Sequence, residues 1–246
     1  GWQYLKKGRV SEAWKACERL LQLAPDREAT QYLVSKTALQ AGNARLALAH
    51  ADKSLTLSDK AALHLQRAQC LLVLAERKAT RAAVQESVAR APRDVAILVV
   101  AGSILNKCED VVGALEIFRQ AQQLEPGNAS VLFNLATSLR FLGELDEAEE
   151  IINRVIKDCP ENQQAVLFRA DLRSQTPENN HIVDLEQRIA RGANGWKGEM
   201  NLYYALAKEA EDVGEYDKSF GALSHGSAVR RRHLEYDIAR DVAVLD

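Results

Sequence analysis

Residues 126–160 read PGNASVLFNLATSLRFLGELDEAEEIINRVIKDCP, a stretch that begins and ends on proline. Between the two prolines the apolar residues fall into two sets with helical spacing. Leu132, Leu135, Ala136 and Leu139 share one face of a first helix, and Ala148, Ile151, Ile152 and Val155 line a second. Gly143 breaks the first helix. Pro160 closes the second, because proline has no amide hydrogen and its ring disfavours helical geometry in the residue before it. The interval recurs: prolines stand at 92, 126 and 160, 34 residues apart each time. Pro25 lies 67 residues before Pro92, one short of two further periods. A fixed period of this size marks stacked units, each a helical pair that buries its apolar face only against its neighbours.

Composition agrees with a folded helical chain. Of 246 residues, 47% are hydrophobic and 27% charged, which excludes disorder as the organising state. Alanine and leucine dominate and aromatics make up only 6%, so helix is the expected material. The net charge of −2 offers no electropositive stripe of the kind a nucleic-acid binder needs, and RNA binding by a helical repeat is disfavoured on that ground. No apolar run approaches the ~18 residues needed to cross a bilayer, so no membrane span is expected. Cys17, Cys70, Cys108 and Cys159 are widely spaced with no C-x-x-C pair and read as reduced thiols on helices, consistent with a cytoplasmic location. The chain opens on Gly1 rather than Met, inside a helical pattern, and reads as an excised piece.

The residues at fixed places in each period resemble the tetratricopeptide repeat (TPR) family, whose pattern runs W-x2-L-G-x2-Y, then A-x3-F, then P over about 34 residues. The unit ending at Pro126 carries Leu98-x2-Ala101-Gly102-x2-Leu105 and Ala114-x3-Phe118; the next carries Leu132-x2-Leu135-Ala136-x2-Leu139 and Ala148-x3-Ile152. A weaker copy has His64, Arg67, Ala68, Leu71, Thr80 and Val84 before Pro92. One weaker still has Gln31, Val34, Ser35, Ala38, Ala47 and Ala51, with one residue missing from its closing turn. Tyr4, Ala13, Cys17 and Pro25 are the tail of a further unit, and Gln163, Val166 and Ala170 begin another. The resemblance implies an all-α fold, a right-handed superhelix of antiparallel helix pairs (an α-solenoid), with about five units over 1–174 and an irregular helical extension over 175–246. Small residues such as Gly102, Ala136, Ala114 and Ala148 sit where paired helices approach closely.

After Ser174 the register is lost. SQTPENNH (174–181) reads as a loop, 182–191 as a short helix, and GANGWKG (192–198) as a connector. A degenerate hairpin follows over 199–224, with Tyr203, Leu206, Ala207 and Ala210, a break at Gly214, then Tyr216, Phe220 and Leu223; the rest is again helical in pattern. The run G-E-Y-D-K-S-F followed by R-R-R-H-L-x-Y-D resembles the region that leads into the catalytic domain of bacterial TPR-containing sulfotransferases. That resemblance covers roughly 198–246 and implies a sulfuryl-transfer domain beyond Asp246, with this chain as the non-catalytic arm. No P-R-S-G-T-like phosphate-cradling loop occurs within the chain itself.

No constellation for chemistry is visible. His50, His64, His181, His225 and His233 form no H-x-x-x-H or H-E-x-x-H pair, so no metal or other cofactor is expected. Ser224, His225 and Ser227 are adjacent in sequence, but adjacency supplies neither triad geometry nor an orienting acid, and no catalytic residue is assigned. Glu144, Asp146, Glu147, Glu149 and Glu150 suit the positive end of a helix dipole. Arg230, Arg231 and Arg232 suit a solvated helix face, with Arg231 one turn from Glu235.

The expected function is binding, through the concave side lined by first helices. Tyr32, Lys36 and Leu39 face it from one unit, Leu65, Gln69 and Leu72 from the next, then Val99, Ser103 and Asn106, then Phe133, Thr137 and Arg140. Some members of the family clamp a partner's C-terminal carboxylate there with Lys, Asn and Arg. Leu65, Val99 and Phe133 occupy slots where such a clamp wants a cation, and Gln164 and Phe168 stand where Asn134 would need polar partners, so that clamp is rejected. The expected occupant is a protein or peptide, or the protein's own downstream domain; homo-oligomerisation is left open.

Overall fold

The computed structural model describes residues 1–234. These residues form fourteen α-helices and, apart from an isolated antiparallel bridge between Thr176 and Asn179, no β structure. The expected all-α fold of antiparallel helix pairs is therefore what forms. The chain divides into two compact units, Gly1–Leu142 and Gly143–Asp246.

The first unit holds α1 (Trp2–Lys6), α2 (Val10–Leu23), α3 (Glu28–Gln40), α4 (Ala44–Leu57), α5 (Ala61–Val73), α6 (Arg77–Arg90), α7 (Val95–Lys107), α8 (Val111–Leu124) and α9 (Ala129–Leu142). Its turns keep time independently of the prolines. The residue that ends each first helix takes a left-handed conformation: Gly8 (φ 70°), Gly42 (82°), Ala75 (59°) and Glu109 (63°). Gly143 (82°) does the same one period further on, at the start of the second unit. Glycine is the residue suited to this place because it has no Cβ to collide with the next carbonyl. The shortened period also has a visible cause. Ser58–Lys60 is a three-residue connector where 24–27, 91–94 and 125–128 each use four.

Within each pair the small residues do as expected. A Cβ on Gly102 would lie 2.6 Å from the Phe118 ring, so only glycine lets α7 and α8 approach as they do. Between pairs, Leu98, Ala121 and Val131 form one cluster, with Val88, Ile117 and Leu124 packed on it, so four consecutive helices share a seam. The place filled elsewhere by a large apolar residue holds Gln31, fully buried, whose amide donates to the Pro25 carbonyl and whose oxygen lies 2.6 Å from His50 Nδ1. A buried amide is tolerated there because both its ends are bonded.

First helices touch in series, α3 to α5, α5 to α7 and α7 to α9. Second helices are held apart: a cleft of about 330 Å³ opens between α6 and α8, lined by Val84, Val88, Glu116 and Ile117 among others. The first-helix side is thus the tighter side of this unit. Ion pairs bridge neighbouring pairs on its exterior: Lys60–Glu28, Arg90–Asp59 and Arg77–Glu109. Each has at least one exposed partner, and each contributes about 0–1 kcal/mol.

The second unit holds α10 (Leu145–Asp158), α11 (Gln163–Ala170), α12 (Ile182–Arg191), α13 (Gly195–Asp212) and α14 (Tyr216–Arg232). Helix α13 packs against α11, α12 and α14. It begins three residues into the segment read as a connector over 192–198. The reason lies in Gly198, which is buried against Gln163: a Cβ there would meet the Gln163 side chain at 2.9 Å. That glycine permits close packing rather than breaking a helix. Glu209, fully buried on α13, accepts hydrogen bonds from the His181 backbone N–H (2.6 Å) and ring Nδ1 (3.1 Å), fixing the start of α12. The helical pattern beyond 234 and the Arg231–Glu235 pair lie outside the described residues.

Candidate binding surface

The inner surface of the first unit is built by repetition. On α3 the residues at 29, 32, 36, 39 and 40 share a face, and equivalent residues recur on α5, α7 and α9 at intervals of 33 or 34. Tyr32, Lys36 and Leu39 are half-buried there, as are Gln69, Leu72, Val99, Ser103, Asn106, Phe133 and Thr137; Leu65 is buried at 5% exposure and Arg140 is exposed. Two rungs join neighbouring helices. Lys36 Nζ donates to Gln69 Oε1 at 3.0 Å, and Asn106 Nδ2 donates to Ser138 Oγ at 2.9 Å. Ser103 and Thr137 turn their hydroxyls back onto the carbonyls of Val99 and Phe133, at 2.8 and 2.9 Å.

Some members of this surface went unread in the sequence. Trp2 packs its ring 5.4 Å from that of Tyr32, and Lys36 Nζ lies 5.6 Å from the Tyr32 ring centroid. The last place of each stripe is Gln40, Val73, Lys107 or Phe141, all exposed, with Val73 at 62% and Phe141 at 64%. Their 33- or 34-residue spacing was the available signal. Across the four stripes the charged residues are Lys36, Lys107 and Arg140, and none is acidic. Burial pulls the Lys36 ammonium below its ordinary pKa, since partial desolvation disfavours the charged form.

Several of the polar groups singled out in the sequence have structural partners. Arg173 reaches Asp146 (2.8 Å) and Glu149 (2.9 Å), neutralising part of the acidic start of α10. His64 bonds Asp59 at 2.7 Å. His225 does gain an acid, Glu199 at 2.9 Å, and stacks on Tyr203 at 3.9 Å between centroids. In the second unit a cleft of about 410 Å³ is lined by Gln163, Arg188, Arg191, Asn194 and Leu202 among others, with Arg188 committed to Asp184 and the Pro160 carbonyl, both at 2.9 Å. Among the described residues no group of three His, Cys, Asp or Glu side chains could hold a metal ion, and no helix is long and apolar enough to cross a membrane.

Comparison with known proteins agrees with this architecture. Residues 109–172 match the sequence profile of the tetratricopeptide repeat. An uncharacterised protein of Aquifex aeolicus is 24% identical over 139 residues, which take in 56% of this chain but only 18% of that protein. Among solved structures, a tetratricopeptide repeat protein from Parabacteroides merdae superposes with a TM-score of 0.64 at 16% identity, covering 97% of this chain and 91% of that one. PilF of Pseudomonas aeruginosa gives 0.59 at 18%, covering 89% and 97%. YrrB, described as a TPR protein with an unusual peptide-binding site, gives 0.52 at 15%, covering 85% and 98%. The repeat profile over 109–172, the helix pairing and the structural neighbours together show that the chain has the fold of an α-solenoid of the kind seen in tetratricopeptide-repeat proteins.

Proposed function

We propose that the chain is a binding scaffold and that the first-helix surface of its first unit holds a protein or peptide segment. The observation that carries this is the pair of exposed apolar side chains, Val73 and Phe141, set one at each of two stripes of an otherwise half-buried, mixed surface. Such a surface can bury apolar area on a partner while its polar rungs fix register. The peptide-binding site described for YrrB, a neighbour in fold, supports the same reading. The test is a pull-down with the full chain and its Val73→Ser/Phe141→Ser variant. Loss of the captured partner at an unchanged melting temperature is expected; retention of the partner would refute the assignment of this surface.

A second reading, the positioning arm of a sulfotransferase, has one observation in its favour. Tyr216, Phe220 and Leu223 stand on one face of α14 at 70%, 73% and 49% exposure, as a helix does where a further element packs. Reading the parent frame past Asp246 decides it: a strand followed by a phosphate-cradling loop favours the arm, and an unrelated sequence removes it.

A further inference from the structure

We propose that the segment bound on the first-helix surface is acidic, and that Lys36 supplies the countercharge for one of its carboxylates. The inference rests on the binding reading above and goes further by naming the partner's chemistry. Several cations elsewhere in the first unit pair with carboxylates: Lys53 with Asp26, Lys60 with Glu28, Arg67 with Asp52 and Arg90 with Asp59. Those lysines and arginines face solvent or are only partly covered, where water already stabilises them. Lys36 differs from these four. It is half-buried between α3 and α5, and its neighbours are neutral, the Gln69 amide at 3.0 Å and the Tyr32 ring at 5.6 Å. Among the described residues no carboxylate pairs with it; burial lowers its pKa, and the nearby Cys70 thiol opposes that only in part.

A partly desolvated ammonium beside a neutral amide and an aromatic face gains more from an incoming anion than a solvated lysine does, because less water competes for it. The stripes around it hold no acidic residue that would compete for the ammonium. The slots where a terminal-carboxylate clamp wants a cation hold the apolar side chains of Leu65, Val99 and Phe133. The carboxylates expected are therefore side chains, Asp or Glu, interleaved with apolar residues that meet Leu72, Val73 and Phe141.

The experiment uses the full chain and an array of short random peptides anchored through their C-termini, so that no terminal carboxylate is available. Asp and Glu should be enriched among binders of the natural chain, with affinity about tenfold above the Asn and Gln counterparts. Lys36→Met should abolish the enrichment, and Lys36→Arg should restore it. Enrichment that persists in Lys36→Met overturns the role of Lys36. Binders without acidic preference that are lost in Phe141→Ser overturn the inference while leaving the surface assignment standing. No binders, or binders indifferent to both substitutions, overturn both. A parallel array anchored through N-termini separates the sources: enrichment confined to free C-termini refutes the side-chain assignment.

Discussion

Gly102→Ala tests the packing between paired helices. The added Cβ would stand 2.6, 2.7 and 2.9 Å from three carbons of the Phe118 ring, where carbon pairs rest at about 3.5–4.0 Å. Phe118 has no exposed surface, so the ring cannot swing into solvent and α7 must move from α8. Overpacking of this kind costs about 1–3 kcal/mol. Against it, alanine gains about 1 kcal/mol over glycine in a helix interior. The net loss is then about 0–2 kcal/mol, which lowers the melting temperature by about 2–4 °C for each kcal/mol in a chain of this size. The sharper measurement is the same substitution in a Phe118→Leu background. There the far ring atoms are gone, only the helix-propensity gain remains, and Gly102→Ala should raise the melting temperature followed by far-UV circular dichroism. A fall in both backgrounds, or a rise in both, would refute the claim that Gly102 and Phe118 set the spacing of the pair.

The turns and the buried amide provide two more tests. Ala75→Gly should stabilise the fold by about 1 kcal/mol, because Ala75 holds the left-handed conformation that Gly42 and Gly143 hold at equivalent places; a higher urea midpoint at constant m-value is expected, and a lower one contradicts the strain. His50 is held below its ordinary pKa by burial and then by Lys53, so the fold favours the neutral ring while the unfolded chain takes a proton near pH ~6.5. That contribution is whole above ~6.5 and is lost as pH falls from there through the folded-state value. Stability should thus decline more between about pH 7 and pH 5 in the natural chain than in His50→Asn, and equal slopes would count against it.

Much of the fold was legible because its period is written in residues with strong local preferences. Pro92, Pro126 and Pro160 sit in the connectors, and the missing residue before Pro92 appears as the short connector Ser58–Lys60. The start of α13 was not legible, since a glycine that breaks a helix and one that lets two helices touch are the same letter; only the position of Gln163 distinguishes them for Gly198. Glu209 gave no signal either, as its burial depends on where the loop before α12 brings His181. The placing of Tyr32, Lys36 and their equivalents on first helices followed from register. The surroundings of Lys36, the Gln69 amide and the Tyr32 ring, did not, because they depend on how α3 and α5 pack.

The cysteines acquire a use from where they lie. Cys17 on α2 contacts Thr37 on α3, Cys70 on α5 contacts Ser35 on α3, and Cys108 after α7 contacts the Arg77 carbonyl on α6, so each buried thiol sits at a different junction of the stack. A thiol reagent can reach each one only when its own junction parts. Alkylation rates followed by mass spectrometry would therefore rank the junctions by how often they breathe, with no label engineered into the chain.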